Sequence, residues 1–380
     1  MRFTVSLHDL TPAVAAVTRF LPSKALRPAL TCIRLEADAG TLALCATEMD
    51  NVIRATLPAR TDSEGIAAVP ARYLADVLRR LPAGTISWDG ETTDSSASIT
   101  WERTRISVTG IPPEQYPPLP VLPEHPQYTY PQSHLKRTIL STSFAAAPPE
   151  AARALLTGIE LRFTSKSISA LATDGFHAAA FTTDPKAPGG DQSVVVPALS
   201  LLEAARLLSD TDDPVDLALD PSHLWIHTPM ADLGLRLLEG KYFSILDLVP
   251  KTFSTKVSVP RALLMGACER VGVVTEAHPP HAITATVEAT QIHLHASFPA
   301  VGSAEETMDA RREGVDIRFA FNAQQLLAAL RRFHGEQLLW ELSGEDSLAR
   351  ISDPQDHTLQ YMHMPLQMTG SVSRTTDPNV

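Results

Sequence analysis

A helical stretch that occurs three times decides the fold of this chain. Its copies read VPARYLADVLRRLPAG (69–84), VPALSLLEAARLL (196–208) and FNAQQLLAALRRF (321–333). In each copy, apolar residues recur at the spacing of one helix face. The residues that align at the helix starts, 127 and 125 positions apart, are Pro70, Pro197 and Asn322. One structural unit is therefore written about three times along the chain.

Other elements recur with the same period. A second helical pattern precedes each copy, at 7–20, 133–147 and 260–271. Alternating, strand-like stretches lie between the helices, at TLALCAT (41–47), SISALAT (167–173) and QIHLHAS (291–297). Further strand-like stretches close each third, at ISVTG (106–110), LGLRLLEG (233–240) and LQYMHMPLQM (359–368). Alternation with a period of two is typical of half-buried strands.

The joints between the thirds are rich in proline, at 116–126 and 248–251. Proline continues neither a helix nor a strand ladder, so these stretches suit linkers. We predict an α+β chain of three similar domains, and a period near 125 residues suits an independently folding domain. The predicted boundaries are 1–125, 126–250 and 251–369, followed by a disordered polar tail at 370–380.

The composition limits the class of protein. The chain has 380 residues, of which 44% are hydrophobic, and its formal net charge is −11. No apolar run approaches the roughly 18 residues that a membrane helix needs. The three cysteines form no CxxC pair, so neither a zinc ribbon nor a disulfide framework is indicated. We expect a cytoplasmic protein with reduced thiols, without a membrane partner.

The charge is distributed unevenly along the chain. The six helical segments carry +7 together, and the rest of the chain carries −18. Basic helices that share one surface can face phosphates while the remainder of the protein repels them. No zinc-finger, homeodomain or RNA-binding signature accompanies this charge. Any binding to nucleic acid should therefore involve the backbone and be independent of base sequence.

Several strings resemble those of one family, the bacterial DNA polymerase III β subunit or sliding clamp. The central third carries two of them, LLTGIEL (155–161) and ALATDGFHAAAF (170–181). The other similar stretches are PSKALRPALTCIRLEA (22–37), ISVTGIPPEQYPPLP (106–120), LLEGKYFSILDLVP (237–250) and YMHMPLQM (361–368). Single strings of this kind are weakly specific, but their order and spacing cover residues 1 to about 368 without large gaps.

The resemblance implies a ring in which two chains close head to tail, with helices lining a hole and strands forming the outer wall. It implies a non-catalytic processivity factor without cofactor or metal, which encircles double-stranded DNA in replication and repair. The implied partners are a second copy of the chain, DNA polymerase III α subunit, the clamp loader and other proteins that carry a clamp-binding motif.

The resemblance also implies a pocket between the second and third domains that binds partner peptides through hydrophobic anchors. The matching positions are Leu156, Thr173, Gly175, Phe176, His177, Ala178, Phe243, Asp247, Leu248, Asn322, Gln325, Met362, Met364, Pro365, Leu366 and Met368. Leucine and methionine would give an adaptable apolar groove. Taken singly, Leu156 and Leu248 are better explained by core packing than by a pocket.

This pocket departs from the family pattern at several positions. Phe176 and His177 stand where the family has His and Arg, and Ala178 replaces a leucine. Phe243 replaces a proline and Asp247 an arginine. An added acid disfavours acidic peptides. One hypothesis is a second, specialised clamp that serves a particular polymerase. A sharper hypothesis is a clamp whose altered pocket evades a pocket-directed inhibitor and so confers antibiotic resistance.

Candidate DNA contacts are basic residues on the helices and nearby loops. They are Lys24, Arg72, Arg79, Arg80, Lys136, Arg137, Arg153, Arg270, Arg331 and Arg332. The ring contact is expected to bring Ile106 and Val108, on an edge strand of the first domain, against Val273 and Val274 of the partner's third domain.

Three alternative readings remain open at this point. Asp174 and His177, together with the string GEDSL (344–348), faintly suggest a hydrolase, although no GxSxG elbow is present. A metal site is a second alternative, with His278, His281, His293 and His295 as candidate ligands and Glu276 as a fifth. The third is a scaffold that keeps the clamp fold without DNA.

Overall fold

The computed structural model describes residues 1–22, 27–90, 95–123, 125–164, 167–183, 191–344 and 346–367. Its α-helices are α1 (Leu7–Thr18), α2 (Ala71–Leu78), α3 (Gln132–Thr142), α4 (Ala198–Ala205), α5 (Arg261–Gly272) and α6 (Ala323–Leu330). Short 3-10 helices cover Pro28–Thr31, Pro113–Gln115, Ser143–Ala145, Ala154–Thr157, Ile245–Leu248 and Val273–Thr275.

The strands of the first 150 residues are β1 (Arg2–Ser6), β2 (Cys32–Asp38), β3 (Thr41–Thr47), β4 (Val52–Pro58), β5 (Arg60–Ser63), β6 (Gly65–Pro70), β7 (Thr85–Gly90), β8 (Ser96–Trp101), β9 (Thr104–Thr109) and β10 (Tyr128–Pro131). Those up to residue 250 are β11 (Gly158–Phe163), β12 (Ile168–Thr173), β13 (His177–Thr183), β14 (Gln192–Pro197), β15 (Pro214–Leu219), β16 (His223–His227) and β17 (Asp232–Arg236). The remaining strands are β18 (Thr255–Pro260), β19 (Ala282–Val287), β20 (Gln291–Phe298), β21 (Gly302–Asp309), β22 (Arg311–Gly314), β23 (Ile317–Asn322), β24 (Gln337–Leu342), β25 (Ala349–Ser352) and β26 (Leu359–His363).

The chain forms two compact units. The first contains residues 1–137, 163–167 and 185–238. It has an antiparallel sheet in the order β5-β1-β7-β8-β9 and a second in the order β10-β15-β16-β17-β4-β3-β2-β6. Helix α1 packs against α2 and against β3 and β4. Its buried face presents Leu10, Val14 and Val17, which follow helical spacing.

The second unit contains residues 138–162, 168–184 and 239–380. One of its sheets has the order β11-β12-β13-β26-β25-β24-β18-β22, and the other has the order β21-β20-β19-β23. Helices α5 and α6 pack against each other. The core beneath them includes the fully buried ring of Trp340, which lies edge-on to Phe319 and Phe321. Such aromatic pairs stabilise a core beyond the area they bury.

The predicted α+β class and the three repeated helices are confirmed by α2, α4 and α6. Helix α2 ends at Leu78, earlier than the apolar pattern suggests. Helix α3, predicted over 133–147, ends at Thr142 and continues as a 3-10 turn. The stretches quoted as strand-like contain β3, β12 and β26 in full and most of β9, β17 and β20. The predicted disordered tail at 370–380 lies outside the described residues.

Candidate functional site

A tight turn between β12 and β13 projects a phenylalanine ring into solvent. Thr173 Oγ1 donates to the carbonyl of His177 over 2.6 Å, and Gly175 N donates to Thr173 Oγ1 over 3.0 Å. Gly175 has φ +97°, a conformation that glycine adopts without strain. Phe176, the next residue, is 70% exposed. An exposed ring held on an ordered turn is a feature of contact surfaces rather than of cores.

The carboxylate of Asp174 fixes this turn. Its Oδ1 accepts from the backbone N–H groups of Phe176 and His177, at 2.8 and 2.9 Å. Its Oδ2 accepts from Nε2 of Gln325 over 3.1 Å and lies 3.3 Å from Nε2 of His177. Burial raises the pKa of Asp174, but the hydrogen bonds and charge of His177 outweigh it and leave the pKa below its usual value. The turn is thus tied to helix α6 by a charged hydrogen bond.

Helix α6 begins beside this turn because Asn322 caps it. Asn322 Oδ1 accepts from Gln325 N over 3.0 Å, which satisfies one of the free N–H groups at the helix start. Gln325, whose backbone N–H is satisfied by the cap, also donates its side-chain amide to Asp174. The helix start at Asn322 therefore positions the amide of Gln325 at the site.

The C-terminal segment of the described chain forms a second side of the site. Met364 N donates to the carbonyl of Phe176 over 2.8 Å, and Leu366 N donates to the carbonyl of Ala320 over 2.7 Å. Met364 is 38% exposed, whereas Met362 is fully buried. Backbone bonds on both edges hold this segment in place, so the thioether of Met364 lies at the surface next to the turn.

A third side comes from residues 242–248. Tyr242 Oη donates to the carbonyl of Gly158 over 2.9 Å and accepts from Thr173 N over 3.1 Å, which anchors the segment on the strands. Beyond this anchor, Phe243 is 49% exposed and Leu248 is 59% exposed. Exposed apolar residues that follow one another in this way indicate a docking surface.

Most of the predicted pocket residues lie within the second unit, on the turn, on α6, on the C-terminal segment and on residues 242–248. Leu156, Ala178 and Met362 are buried and support the surface from below. Pro365 and Leu366 are half-buried, and Asp247 is exposed. Met368 lies outside the described residues.

Sequence reasoning overlooked two residues that build this site. Asp174 was considered only as a catalytic acid, although an Asp-Gly pair before an aromatic residue is a common turn sequence. Tyr242 was not considered, although Tyr116 occupies the corresponding position one repeat earlier. Comparison of the repeats would have found the second.

Two buried histidines lie beneath the turn. His177 is 4% exposed, and its ring lies between those of Phe144 and Tyr361, with centroids 6.2 and 5.8 Å away. His363 accepts a hydrogen bond from Trp340 Nε1 over 3.1 Å. Burial lowers the pKa of His363 to about 4, so this ring is neutral at pH 7.

The low pKa of His363 predicts acid sensitivity. The unfolded chain takes up a proton on this ring near pH 6.5 and the folded chain only near pH 4, so stability falls as pH drops through that window. Urea unfolding of the wild type should lose about 2 kcal/mol from this group between pH 7 and pH 5. The His363→Phe variant should lose less over the same range. An equal loss in both proteins would exclude His363 as the source.

Most of the basic candidate residues are exposed, and several are already engaged by acids. Lys136 pairs with Asp210 at 2.9 Å, and Arg331 pairs with Glu269 at 3.1 Å. Further ion pairs join Arg79 to Asp76 and, through two hydrogen bonds, Arg270 to Glu306. The candidates without a carboxylate partner in the described part of the chain include Arg72, Arg80, Arg153 and Arg332. Arg137 is exposed, and Lys24 lies outside the described residues.

Helices α1 and α2 form a groove that gathers positive charge. Arg19, Arg72 and Arg79 line it, with Asp76 as the acid, and its volume is about 410 Å³. Arg80 donates to the carbonyl of Asp76 over 2.7 Å, which leaves the rest of its guanidinium exposed. Loosely held guanidinium groups on a helix surface suit contact with phosphates.

The four residues expected at the ring contact differ in exposure. β9 is the edge strand of its sheet, as expected, and Ile106 is half-buried there. Val273 is 63% exposed, but Val108 and Val274 face the core of their own chain. A contact at this strand would therefore use its unpaired backbone groups and only part of the predicted side chains.

The alternative sites find little geometric support. Asp174 and His177 do lie together, but the hydroxyl beside them, on Thr173, donates to a backbone carbonyl. Glu345 of the GEDSL string lies outside the described residues.

The proposed metal ligands are also engaged elsewhere or apart, since the ring of His278 stacks on that of Phe298, with centroids 3.6 Å apart. Among the described residues, no group of three His, Cys, Asp or Glu side chains could hold a metal ion. No helix in the same residues is long and apolar enough to cross a membrane.

Comparison with protein families gives three matches in succession. Residues 1–120 match the N-terminal domain of the DNA polymerase III beta subunit, residues 129–243 its central domain, and residues 246–367 its C-terminal domain. The beta sliding clamp of Synechococcus elongatus is 26% identical over 376 residues, covering 97% of this chain and 100% of the relative. That of Staphylococcus aureus is 21% identical, covering 97% and 99%.

Solved structures of the same kind superpose over nearly the whole chain. The Bacillus subtilis DNA polymerase sliding clamp matches with a TM-score of 0.92 at 22% identity, covering 97% of this chain and 99% of that one. A Pseudomonas aeruginosa sliding clamp bound to griselimycin matches with a TM-score of 0.89 at 25% identity, covering 97% and 100%.

Proposed function

This chain belongs to the DNA polymerase III β subunit family, and we propose that it works as a DNA sliding clamp. The observation that carries the proposal is the succession of all three family domains in order over residues 1–367. A clamp is a non-catalytic processivity factor. Two copies of this chain close head to tail around double-stranded DNA, and the ring tethers the polymerase and other clients.

The proposed domain boundaries are 1–125, 126–250 and 251–369. They place the proline-rich stretches at the joints, close to the ends of the family matches at residues 120 and 243. The proposed ring contact lies at β9 of one copy and at Val273 of the other, since the unpaired edge of β9 needs a partner. We place the protein in the cytoplasm, where a clamp meets the chromosome.

The proposed client site is the surface built by the turn 173–177, the start of α6, residues 243–248 and residues 362–366. Phe176, Phe243, Leu248 and Met364 are its exposed apolar side chains. Methionine and leucine adapt to different anchors, so one surface can serve several peptides in turn. The site's rigidity comes from Asp174, which is bonded both to the turn and to Gln325.

The client site of this chain is proposed to be specialised. The exposed ring of Phe176 and the exposed carboxylate of Asp247 replace residues of other shape and charge in the family pattern. A negative charge beside the apolar surface repels acidic peptides. Two consequences follow as proposals, a preference for particular clients and weaker binding of inhibitors such as griselimycin, to which the Pseudomonas aeruginosa clamp is bound.

A topological assay tests the clamp function. The chain is loaded by the clamp loader of its host onto a nicked circular plasmid, which is then cut once. A closed ring that slides stays on the circle and leaves the linear product, because only the linear DNA has ends. Gel filtration separates bound from free protein. Equal retention on both forms would contradict the clamp and favour a scaffold.

A further inference from the structure

The first unit contains a turn that repeats the turn of the client site. Thr47 Oγ1 donates to the carbonyl of Asn51 over 2.7 Å, and Met49 N donates to Thr47 Oγ1 over 3.0 Å. The corresponding bonds of the turn 173–177 measure 2.6 and 3.0 Å. Met49 has φ +87°, close to the +97° of Gly175. The two turns have the same construction, 126 residues apart.

Each turn is fastened to a repeated helix at the same position. Nδ2 of Asn51 donates to Oγ of Ser200 over 3.0 Å, and Ser200 is the third residue of α4. In the client site, Gln325 is the third residue of α6 and donates to Asp174. The partners differ in chemistry, but the helix position and the role are shared.

The extended segment beside each turn is also equivalent. Arg236 N donates to the side chain of the first turn over 3.1 Å, and Leu238 N donates to the carbonyl of Val195 over 2.8 Å. Met364 and Leu366 make the corresponding backbone bonds in the client site. Both segments are therefore held on two edges, although Arg236 bonds to the side chain of Asn51 and Met364 to the backbone carbonyl of Phe176.

A tyrosine anchors the third side in both places. Tyr116 Oη lies 3.5 Å from the carbonyl oxygen of Cys32, as Tyr242 Oη lies 2.9 Å from that of Gly158. The residues after each tyrosine, 117–122 and 243–248, occupy aligned positions in the two repeats. The second arrangement thus has all the structural parts of the client site.

An open groove of about 640 Å³ lies next to this second arrangement and shares residues 116–122 with it. It is lined by Arg34, Glu36, Cys45, Val52, Arg54, Pro113, residues 116–122, Trp225 and Asp232. Val52, Pro117 and Leu122 correspond to Ala178, Phe243 and Leu248 of the client site. The volume is in the range of sites that hold small ligands and short peptides.

The charges of the groove indicate the chemistry of its occupant. Arg34 pairs with Glu36 at 3.1 Å, and Asp232 is bonded to His227 at 3.0 Å. Arg54 is exposed and lies directly opposite Asp232 in the ladder of β4 and β17, and its side chain forms no ion pair or hydrogen bond within the described residues. The groove therefore offers the exposed guanidinium of Arg54 together with the exposed side chain of Val121, while Leu122 packs on the buried ring of Trp225. This combination suits an apolar anchor next to a carboxylate.

We propose that this groove is a second peptide-docking site, which binds an extended segment carrying apolar anchors and an acidic side chain. The proposal rests on the client site of the proposed function, whose construction it repeats. Each chain would then carry two docking sites of opposite charge preference, since the client site presents the acid Asp247 and the groove presents the base Arg54, at positions that are not equivalent in the two repeats. A client could be held at two points of one chain.

Calorimetric titration of the full chain tests the proposal. The probe is a nine-residue peptide in which two leucines and a phenylalanine alternate with aspartates, and a second peptide carries lysines in place of the aspartates. The variants are Arg54→Glu in the groove, Met364→Asp in the client site, and Arg60→Glu as a control on exposed strand β5. All three positions are exposed at least in part, so the fold should survive.

The wild type and Arg60→Glu should bind the acidic peptide tightly at one site per chain, the groove, and more weakly at the client site, where Asp247 repels it. Arg54→Glu should weaken one of the two sites at least about tenfold, as expected for loss of a charge-assisted contact. The lysine peptide should bind once, and Met364→Asp should remove that event. A single acidic-peptide site, lost in Met364→Asp and unchanged in Arg54→Glu, overturns the second site and leaves the client site intact. If Met364→Asp changes the binding of neither peptide, the proposed client site is wrong. If the wild type binds no peptide, both proposed sites are wrong.

Discussion

Four alanine substitutions on the helices and a neighbouring loop are expected to weaken DNA association about 100-fold or more at low salt. They are Arg72→Ala, Arg80→Ala, Arg153→Ala and Arg332→Ala. None of these side chains forms an ion pair with a carboxylate in the part of the chain that the structure describes. A guanidinium that is free of acids can release counterions from phosphate, whereas a paired one must first give up its partner.

The measurement is the affinity for a short fluorescent duplex as a function of salt. A plot of the logarithm of the association constant against the logarithm of the salt concentration has a negative slope. This slope should become less steep by about 0.9 for each phosphate contact removed. The matched control removes four exposed arginines from strands that form no ion pair with a carboxylate in the described residues, namely Arg54, Arg236, Arg311 and Arg318. It changes the net charge equally, so a similar loss in the control would show that only overall charge matters and that the helices are not the DNA surface.

The Met364→Asp variant is expected to lose client-peptide binding by about 100-fold. Met364 lies at the surface beside Phe176, to whose carbonyl its backbone bonds. A carboxylate there must be desolvated when an apolar anchor docks, which costs more than the lost thioether contact alone. Fluorescence anisotropy with a labelled hydrophobic peptide gives the dissociation constant.

Two variants make this result specific. Val315→Asp changes another exposed apolar residue of the same unit and should bind the peptide as the wild type does. Asp247→Arg should instead strengthen binding of an acidic peptide by several fold, since it replaces repulsion by attraction. Loss of binding in Val315→Asp would indicate a general effect on the fold, and no change in Met364→Asp would place the client site elsewhere.

The repeat in the sequence determined the architecture. The helical spacing that follows Pro70, Pro197 and Asn322 predicted three similar units. The apolar face of each repeated helix must be buried against another layer of the fold. The strand patterns then placed β3, β12 and β20 correctly, but only β20 alternates as a half-buried strand does. β3 and β12 are largely buried on both faces, which depends on packing that the pattern does not contain. The periodicity of apolar residues is enough to predict such helices and strands, because each pattern is complete within about ten consecutive residues.

The site depended on contacts that local patterns do not contain. Asp174 meets Gln325 across 151 residues, and Met364 meets Phe176 across an even longer stretch of chain. The ion pairs that engage Arg270 and Arg331 were equally hidden, because Glu306 and Glu269 lie on other elements. Val108 and Val274 were expected at a surface and face the core, since apolar residues on an edge strand and at a helix end can point either way. The sequence by itself determined which elements form; only tertiary packing decided which side chains stay free, because that depends on residues that are distant along the chain.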